Sequence, residues 1–326
     1  AGGAYVPLDP KAPVARLRGI IEDTKSTLAV ASPSCQETLQ EVGIDVLVVD
    51  EALLLELSDP VEKIQSKIRP KNASVVLFTS GSTGKPKGMV IQHDSLCSSG
   101  NAYGEDLNIG PGTRVFQFSA YTFDVGVLDC LVSLMRGATV CIPSDHARLN
   151  DLAGAMTATK ANWVFLTPTV ADLLSPTDVP YLKVLCLGGE AISKKCADRW
   201  VNYTELHGLY GPAEASICAW NPLVGKSGRS TNLGRPISSA FWVVEPSNYK
   251  RLVPVGCTGE LLIEGPMLAR GYLNVSADVA SNWMENVDWL PGSNKKRVYR
   301  TGDLVRRNPD GTFDFMGRKD TQVKSA

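Results

Sequence analysis

The chain has 326 residues, 44% of them hydrophobic, with 33 basic and 34 acidic side chains and a formal net charge of −1. That length supports a large core or two to three subdomains, and the balanced charge, with no block of one sign, argues against a nucleic-acid or anionic-membrane surface. No apolar run approaches the roughly 20 residues of a membrane span, and the opening Ala1-Gly2-Gly3-Ala4 has no signal-like character. In chain order, Ala4–Leu8 reads as a strand and Pro13–Asp23 as a helix with proline near its start. Leu28–Ala31 and Val46–Val49 are short apolar strands, and Val75–Thr79 is a buried strand. Asp94 is placed to cap a helix running toward Tyr103. Arg114–Phe118, Thr139–Ile142, Trp163–Leu166 and Val184–Leu187 are further strands, separated by helical patterns over Val125–Arg136, Asp151–Lys160 and Ser193–Val201. This alternation predicts parallel sheets covered by helices. Beyond Leu233 the texture changes to strands at Phe241–Glu245, Gly259–Glu264 and Phe313–Met316, broken by turns, with one helical pattern at Ser276–Met284. That stretch predicts a mostly antiparallel, barrel-like region.

The eight cysteines are scattered with no C-x-x-C, several inside apolar strings such as Val184-Leu185-Cys186-Leu187. Buried free thiols in a cytoplasmic protein are the expectation. Three histidines without metal-ligand spacing argue against zinc.

Thr79-Ser80-Gly81-Ser82-Thr83-Gly84-Lys85-Pro86-Lys87-Gly88 follows the apolar run Val75-Val76-Leu77-Phe78. Three glycines free the backbone to turn its N–H groups to a ligand, four hydroxyls donate, and two lysines bring positive charge, which is what a triphosphate needs. The Walker A pattern fails, because Gly81 and Gly84 are only three apart and Pro86 follows Lys85.

The segment resembles the phosphate loop of adenylate-forming enzymes: acyl-CoA ligases, luciferases and the adenylation domains of nonribosomal peptide synthetases. Other segments resemble the core motifs of those adenylation domains in their usual order. They are Gly2-Gly3-Ala4-Tyr5-Val6-Pro7-Leu8-Asp9, Ala120-Tyr121-Thr122-Phe123-Asp124, Tyr210-Gly211-Pro212-Ala213-Glu214, Gly259-Glu260-Leu261 through Ala269-Arg270-Gly271-Tyr272-Leu273, Tyr299-Arg300-Thr301-Gly302-Asp303-Leu304, and Gly317-Arg318-Lys319-Asp320 with Gln322-Val323-Lys324. The resemblance implies an α/β fold: a partial α/β subdomain over 1–72, a second over 73–232 carrying phosphate loop and substrate pocket, a smaller β-barrel-like region over 233–316, and a hinge over 317–326. The chain is expected to begin partway into the large domain and to lack the small C-terminal domain with its lysine, and so to catalyse poorly alone.

It further implies ATP and Mg²⁺ as cofactors, with Thr79, Ser80, Lys87 and Glu214 in catalytic roles and Glu214 on the metal. The nucleotide would meet Thr79, Ser80, Gly81, Ser82, Thr83, Gly84, Lys85, Gly189, Leu209, Tyr210, Gly211, Asp303 and Arg318, with Tyr210 stacked on adenine and Asp303 accepting the ribose hydroxyls. Partners would be an amino-acid substrate and the peptidyl carrier and condensation domains of a parent synthetase, the carrier bearing phosphopantetheine. Asp124 is the discriminating acid: a carboxylate in an apolar pocket must be paired, and an α-ammonium group is the natural partner. The resemblance carries the pocket onto Asp124, Val125, Leu128, Phe165, Cys186, Gly188, Leu209, Ile217 and Cys218. All but Asp124 are apolar or small, which points to an apolar amino acid such as alanine, valine or leucine. Gly208, where the family often has Asn, and Ala213, where it commonly has Thr or Ser, depart from the pattern. The alternatives are an acyl- or aryl-CoA ligase and a non-catalytic remnant that binds nucleotide or a partner.

Overall fold

The computed structural model describes residues 2–57, 67–79, 86–222, 224–225, 231–274, 282–285, 287–290 and 296–319. The chain forms two compact units: Ala1–His93 with Arg270–Ala277, and Asp94–Ala269 with Asp278–Ala326.

In the first unit the helix Val14–Thr24 buries Leu17 and Ile20 and ends where Lys25 turns left-handed at φ 54. β1 (Leu28–Ala31) and β2 (Asp45–Val48) pair in parallel. The helix Gln36–Val42 joins them and ends on Gly43 at φ 91, a conformation only glycine adopts without cost. Ala29, Leu39 and Ile44 make a small core there. β3 (Ala73–Thr79) and β4 (Lys87–Gln92) are antiparallel neighbours. The expected strand at Ala4–Leu8 is reduced to one bridge, Tyr5 to Val75. Pro7 and Pro10 have no N–H to extend a ladder beyond it.

The second unit carries one long sheet. Its parallel portion is β5 (Arg114–Phe116), β6 (Thr139–Cys141), β7 (Trp163–Leu166), β8 (Val184–Gly188) and β9 (Glu205–Tyr210), in the order β6-β5-β7-β8-β9. β7 and β8 are buried at every residue, as strands covered on both faces must be. Phe116, Val164, Leu166, Leu185 and Leu187 meet Met156 and Trp200 from flanking helices in the main core. Beyond β9 the sheet turns antiparallel through β10 (Ala219–Asn221), β11 (Asn232–Pro236), β12 (Ala240–Glu245), β13 (Asn248–Leu252) and β14 (Thr258–Glu264). β15 (Gly271–Tyr272) belongs to the first unit and adds to β4. β16 (Trp283–Glu285), β17 (Arg297–Arg307) and β18 (Phe313–Arg318) complete the second unit. The β-rich region predicted from sequence is thus the antiparallel continuation of the parallel sheet, in the order β9-β10-β11-β18-β17-β14-β12-β13. Phe241 and Phe313, 5.2 Å apart edge to face, centre its own core with Leu261, Ile263 and Val305.

Three further sequence expectations change. Trp283 and Met284 were expected at the end of a helix but lie in β16, paired with Tyr299 and Val298. The Trp283 ring sits 4.8 Å from Tyr299, with the Arg297 guanidinium 4.7 Å over it, cross-strand contacts that outweigh helical pattern. Residues 276–281 of that expected helix lie outside the described residues. The helix His93–Asp106 already includes Asp94, whose Oδ1 accepts from the neighbouring Ser95 N–H at 2.9 Å, so it stands in the first turn rather than at the cap. The helical run expected at Val125–Arg136 forms, but in three pieces. Asp124–Val127 is α-helical, Leu128–Val132 is a wider π turn, and Ser133–Met135 returns to α.

Candidate active site

In the first unit, Thr79 ends β3 directly opposite Lys87, which begins β4. The phosphate-loop candidates Ser80, Gly81, Ser82, Thr83, Gly84 and Lys85 connect them and lie outside the described residues. The loop therefore joins two antiparallel strands, unlike the strand-to-helix joint of a Walker A loop. Gly88 is required next to it: a Cβ there would stand 2.9 Å from the Phe78 ring and 3.2 Å from Leu273.

In the second unit, three predicted residues that lie far apart in sequence meet. Tyr210 ends β9, Asp303 lies in β17 and Arg318 ends β18. Arg318 Nη1 donates to Asp303 Oδ1 at 2.9 Å and to the Thr301 carbonyl at 2.7 Å. The Tyr210 hydroxyl donates to Asp303 Oδ2. Gly302, at φ 71, packs under the guanidinium. Thr301 Oγ1 accepts from the Asp303 N–H and donates to the Leu261 carbonyl, each at 2.9 Å. Burial, then the Asp303 charge, pushes the Tyr210 phenol well above its usual 10.0, so it remains a donor. Asp303 is 0% exposed. Ribose hydroxyls would reach it only by displacing Tyr210 or Arg318. The Tyr210 ring stands edge to face on Phe241 at 6.4 Å, and its hydroxyl contact with Asp303 was not foreseen from sequence.

After Tyr210 the chain folds back on itself. A Cβ on Gly211 would fall 1.5 Å from the Ser216 carbonyl oxygen, so only glycine fits. The short turn Ala213–Ala215 presents Glu214, whose carbonyl accepts from the Ala269 N–H at 2.9 Å. Ser216 then adopts φ 54, ψ −150, a region almost reserved for glycine. Its hydroxyl meets that of Ser99 at 3.3 Å. Among the described residues no cluster of three or more His, Cys, Asp or Glu could hold a metal. A single carboxylate, Glu214, suits Mg²⁺, which keeps waters and binds through one or two carboxylates plus substrate phosphates.

The amino-acid pocket candidates divide in two. Val125, Leu128, Phe165 and Ile217 line one cavity, together with Tyr103, Ile109, Asp129, Ser133 and Trp163. Asp124, Cys186, Gly188, Leu209 and Cys218 are outside that lining. Gly188 pairs with Leu209 across β8 and β9. Its missing Cβ would lie 2.7 Å from the Leu209 carbonyl oxygen and 2.8 Å from Phe165 Cζ, so it lets that ring lie against the strand. Gly189 follows at φ 81. Asp124 begins the helical run and its Oδ1 accepts from the Val125 N–H at 2.9 Å. Cys186 and Cys218 are fully buried. Burial holds the Cys186 thiol well above 9.0, so it packs as a small neutral side chain. Sequence reasoning missed Asp129, although an acid inside Val125-Gly126-Val127-Leu128-Asp129-Cys130-Leu131-Val132 is itself a signal.

Residues 1–273 match the model of a protein family described as AMP-binding enzyme. The chain belongs to the AMP-binding enzyme family. It is 44% identical over 328 residues to the nonribosomal peptide synthetase atnA of Emericella nidulans, a match covering 99% of this chain and 4% of that protein. Nonribosomal peptide synthetase 4 of Gibberella zeae is 43% identical over 330 residues, with the same coverage. The chain thus spans about one twenty-fifth of these relatives. Among solved structures, the fold resembles the Vibrio cholerae adenylation domain AlmE in complex with glycyl-adenosine-5'-phosphate, with TM-score 0.83 and 23% identity over 99% of this chain and 66% of that one. It also resembles the AMPPNP-bound nonribosomal peptide synthetase FmoA3 (S1046A), with TM-score 0.84 and 24% identity over 98% of this chain and 35% of that one. The sequence is thus similar to a segment of nonribosomal peptide synthetases, and the fold to that of adenylation domains. Among the described residues no helix is long and apolar enough to cross a membrane.

Proposed function

We propose that this AMP-binding chain activates an α-amino acid with a largely apolar side chain as its aminoacyl-AMP. A carboxylate oxygen of the amino acid attacks the α-phosphorus of ATP, a P–O bond forms, and pyrophosphate leaves with the electron pair of the bond that breaks. The task of the protein is to bring two anions together and offset their charge. Thr79 and Lys87, with the loop between them, take the phosphates. Gly189, Leu209, Tyr210 and Gly211 take the adenine side, and Asp303 and Arg318 the ribose. Glu214 holds Mg²⁺, which neutralises phosphate charge when bound. Asp124 pairs with the substrate ammonium, and the apolar walls select the side chain.

The observation that carries the amino-acid reading is the convergence of Val125, Leu128, Phe165 and Ile217 on one cavity, the first two from the helical run that Asp124 begins. Transfer of the aminoacyl group to a phosphopantetheine thiol on a carrier domain, beside a condensation domain, is supported by the names of the relatives as nonribosomal peptide synthetases.

The test is the thermal shift of the chain with non-hydrolysable acyl-adenylate analogues. A ligand that binds only the native state raises its stability. Alanyl, valyl and leucyl forms are expected to raise the melting temperature more than lysyl or aspartyl forms. A larger shift with aryl or fatty-acyl adenylates would move the chain to the CoA-ligase reading.

A further inference from the structure

The cavity behind the apolar walls is not wholly apolar. Asp129 sits in the π turn Leu128–Val132 and is 4% exposed. Its Oδ2 is buried without a hydrogen-bond partner among the described residues. Trp163, at the start of β7, is 2% exposed, and its Nε1 is likewise buried without a partner among the described residues. Both residues line the cavity formed with Val125, Leu128, Phe165 and Ile217. Burial, then the nearby Asp124 charge, raises the Asp129 carboxyl well above 3.8, so its neutral acid is favoured. Buried polar atoms are almost always paired, so two orphans on residues that line one cavity point to a polar group that enters it. The free space, ≈ 10 Å³, is about what one water-sized group needs.

The chemistry of the two orphans narrows that partner. The indole N–H can only donate, and the carboxyl offers an acceptor oxygen. A hydroxyl does both at once: it donates to the carboxyl and accepts from the indole. An ammonium group has no lone pair for the indole, and a methyl group satisfies neither. We propose that Asp129 and Trp163 are specificity-determining residues that read a hydroxyl at the end of the substrate side chain, so that the amino acid taken is apolar along its length and hydroxylated at its tip. This rests on the amino-acid reading given above and refines it. Leaving such a pair unmatched is costly, which is why sites built for a hydroxyl reject isosteres that lack it.

Matched pairs of non-hydrolysable aminoacyl-adenylates test this on the unmodified chain by titration calorimetry: threonyl against valyl, seryl against alanyl, and tyrosyl against phenylalanyl. In at least one pair the hydroxyl form is expected to bind about 10- to 100-fold more tightly. Asp129→Leu and Trp163→Phe, each removing one polar partner, are expected to bring that ratio toward one. Equal or weaker binding of the hydroxyl form in all three pairs overturns the proposal and leaves the cavity to a water alone, with the amino-acid reading intact. Binding of none of the six would overturn both. The wild-type comparison decides the matter even if a variant does not fold.

Discussion

Asp303 and Asp129 are both buried carboxyls of the second unit, yet they are held in opposite ways. Asp303 receives Arg318 on one oxygen and the Tyr210 hydroxyl on the other, with Thr301 pinning its backbone. Asp129 has a buried oxygen with no partner among the described residues and another acid, Asp124, as the charge that acts on it. A carboxyl whose lone pairs are filled by donors is held in place before any ligand arrives. One left bare beside a cavity is kept for something that arrives. The difference follows from where each stands. Asp303 lies in β17 with β18 alongside, so three strands supply its partners, whereas Asp129 lies in a π turn whose neighbours are mainly apolar.

The largest effect is expected from emptying the filled site. Asp303→Ala leaves the partly buried Arg318 guanidinium without its carboxylate and removes the acceptor for Tyr210. Breaking such a pair from one side costs about 3–5 kcal/mol, so urea denaturation should show a loss of this order together with loss of ATP binding. A loss below about 1 kcal/mol would mean that Asp303 is not the anchor its contacts suggest.

Ser216 stands between the two regions, after Glu214 and before Ile217. Its backbone at φ 54, ψ −150 costs about 1–3 kcal/mol in a residue with a Cβ. Ser216→Gly is therefore expected to stabilise the fold by about 1 kcal/mol while weakening binding of aminoacyl-adenylate analogues, because the turn that sets Ile217 at the cavity is relaxed. A residue with a purely packing role would show lower stability instead, and that result would remove the strain argument.

The reach of the sequence follows the same division. β7 and β8 were legible because continuous apolar runs as short as Trp163–Leu166 are the length of strands buried on both faces and too short for a helix. The meeting of Tyr210 and Asp303, 93 positions apart, has no local signature, and only the family resemblance put both at one nucleotide. β16 was misread because Trp283 and Met284 fit either period, and the choice was made by Tyr299 and Arg297 on the neighbouring strand. The π turn was invisible for a related reason: Val125–Arg136 carries a helical pattern that does not reveal one wider turn, and that turn holds Asp129.

The finest test of the contrast is the pH dependence of stability. Folding raises the Asp129 carboxyl above its ordinary 3.8, so the folded state binds the proton more tightly than the unfolded chain. Its stabilising contribution is complete below about 3.8 and is lost progressively as pH rises toward the raised folded value. The groups that sense Asp129 do not confuse the window. Burial first and Asp129 second push the Cys130 thiol to about 11 and hold the Tyr103 phenol well above 10.0 and the Cys186 thiol well above 9.0, so all three stay neutral. Asp129→Asn keeps the shape and removes the titration. The melting temperatures of wild type and variant should converge near pH 4 and separate as pH rises, with the variant increasingly the more stable. Parallel curves would show that Asp129 ionises freely in the folded chain, and the contrast with Asp303 would then lie in geometry alone.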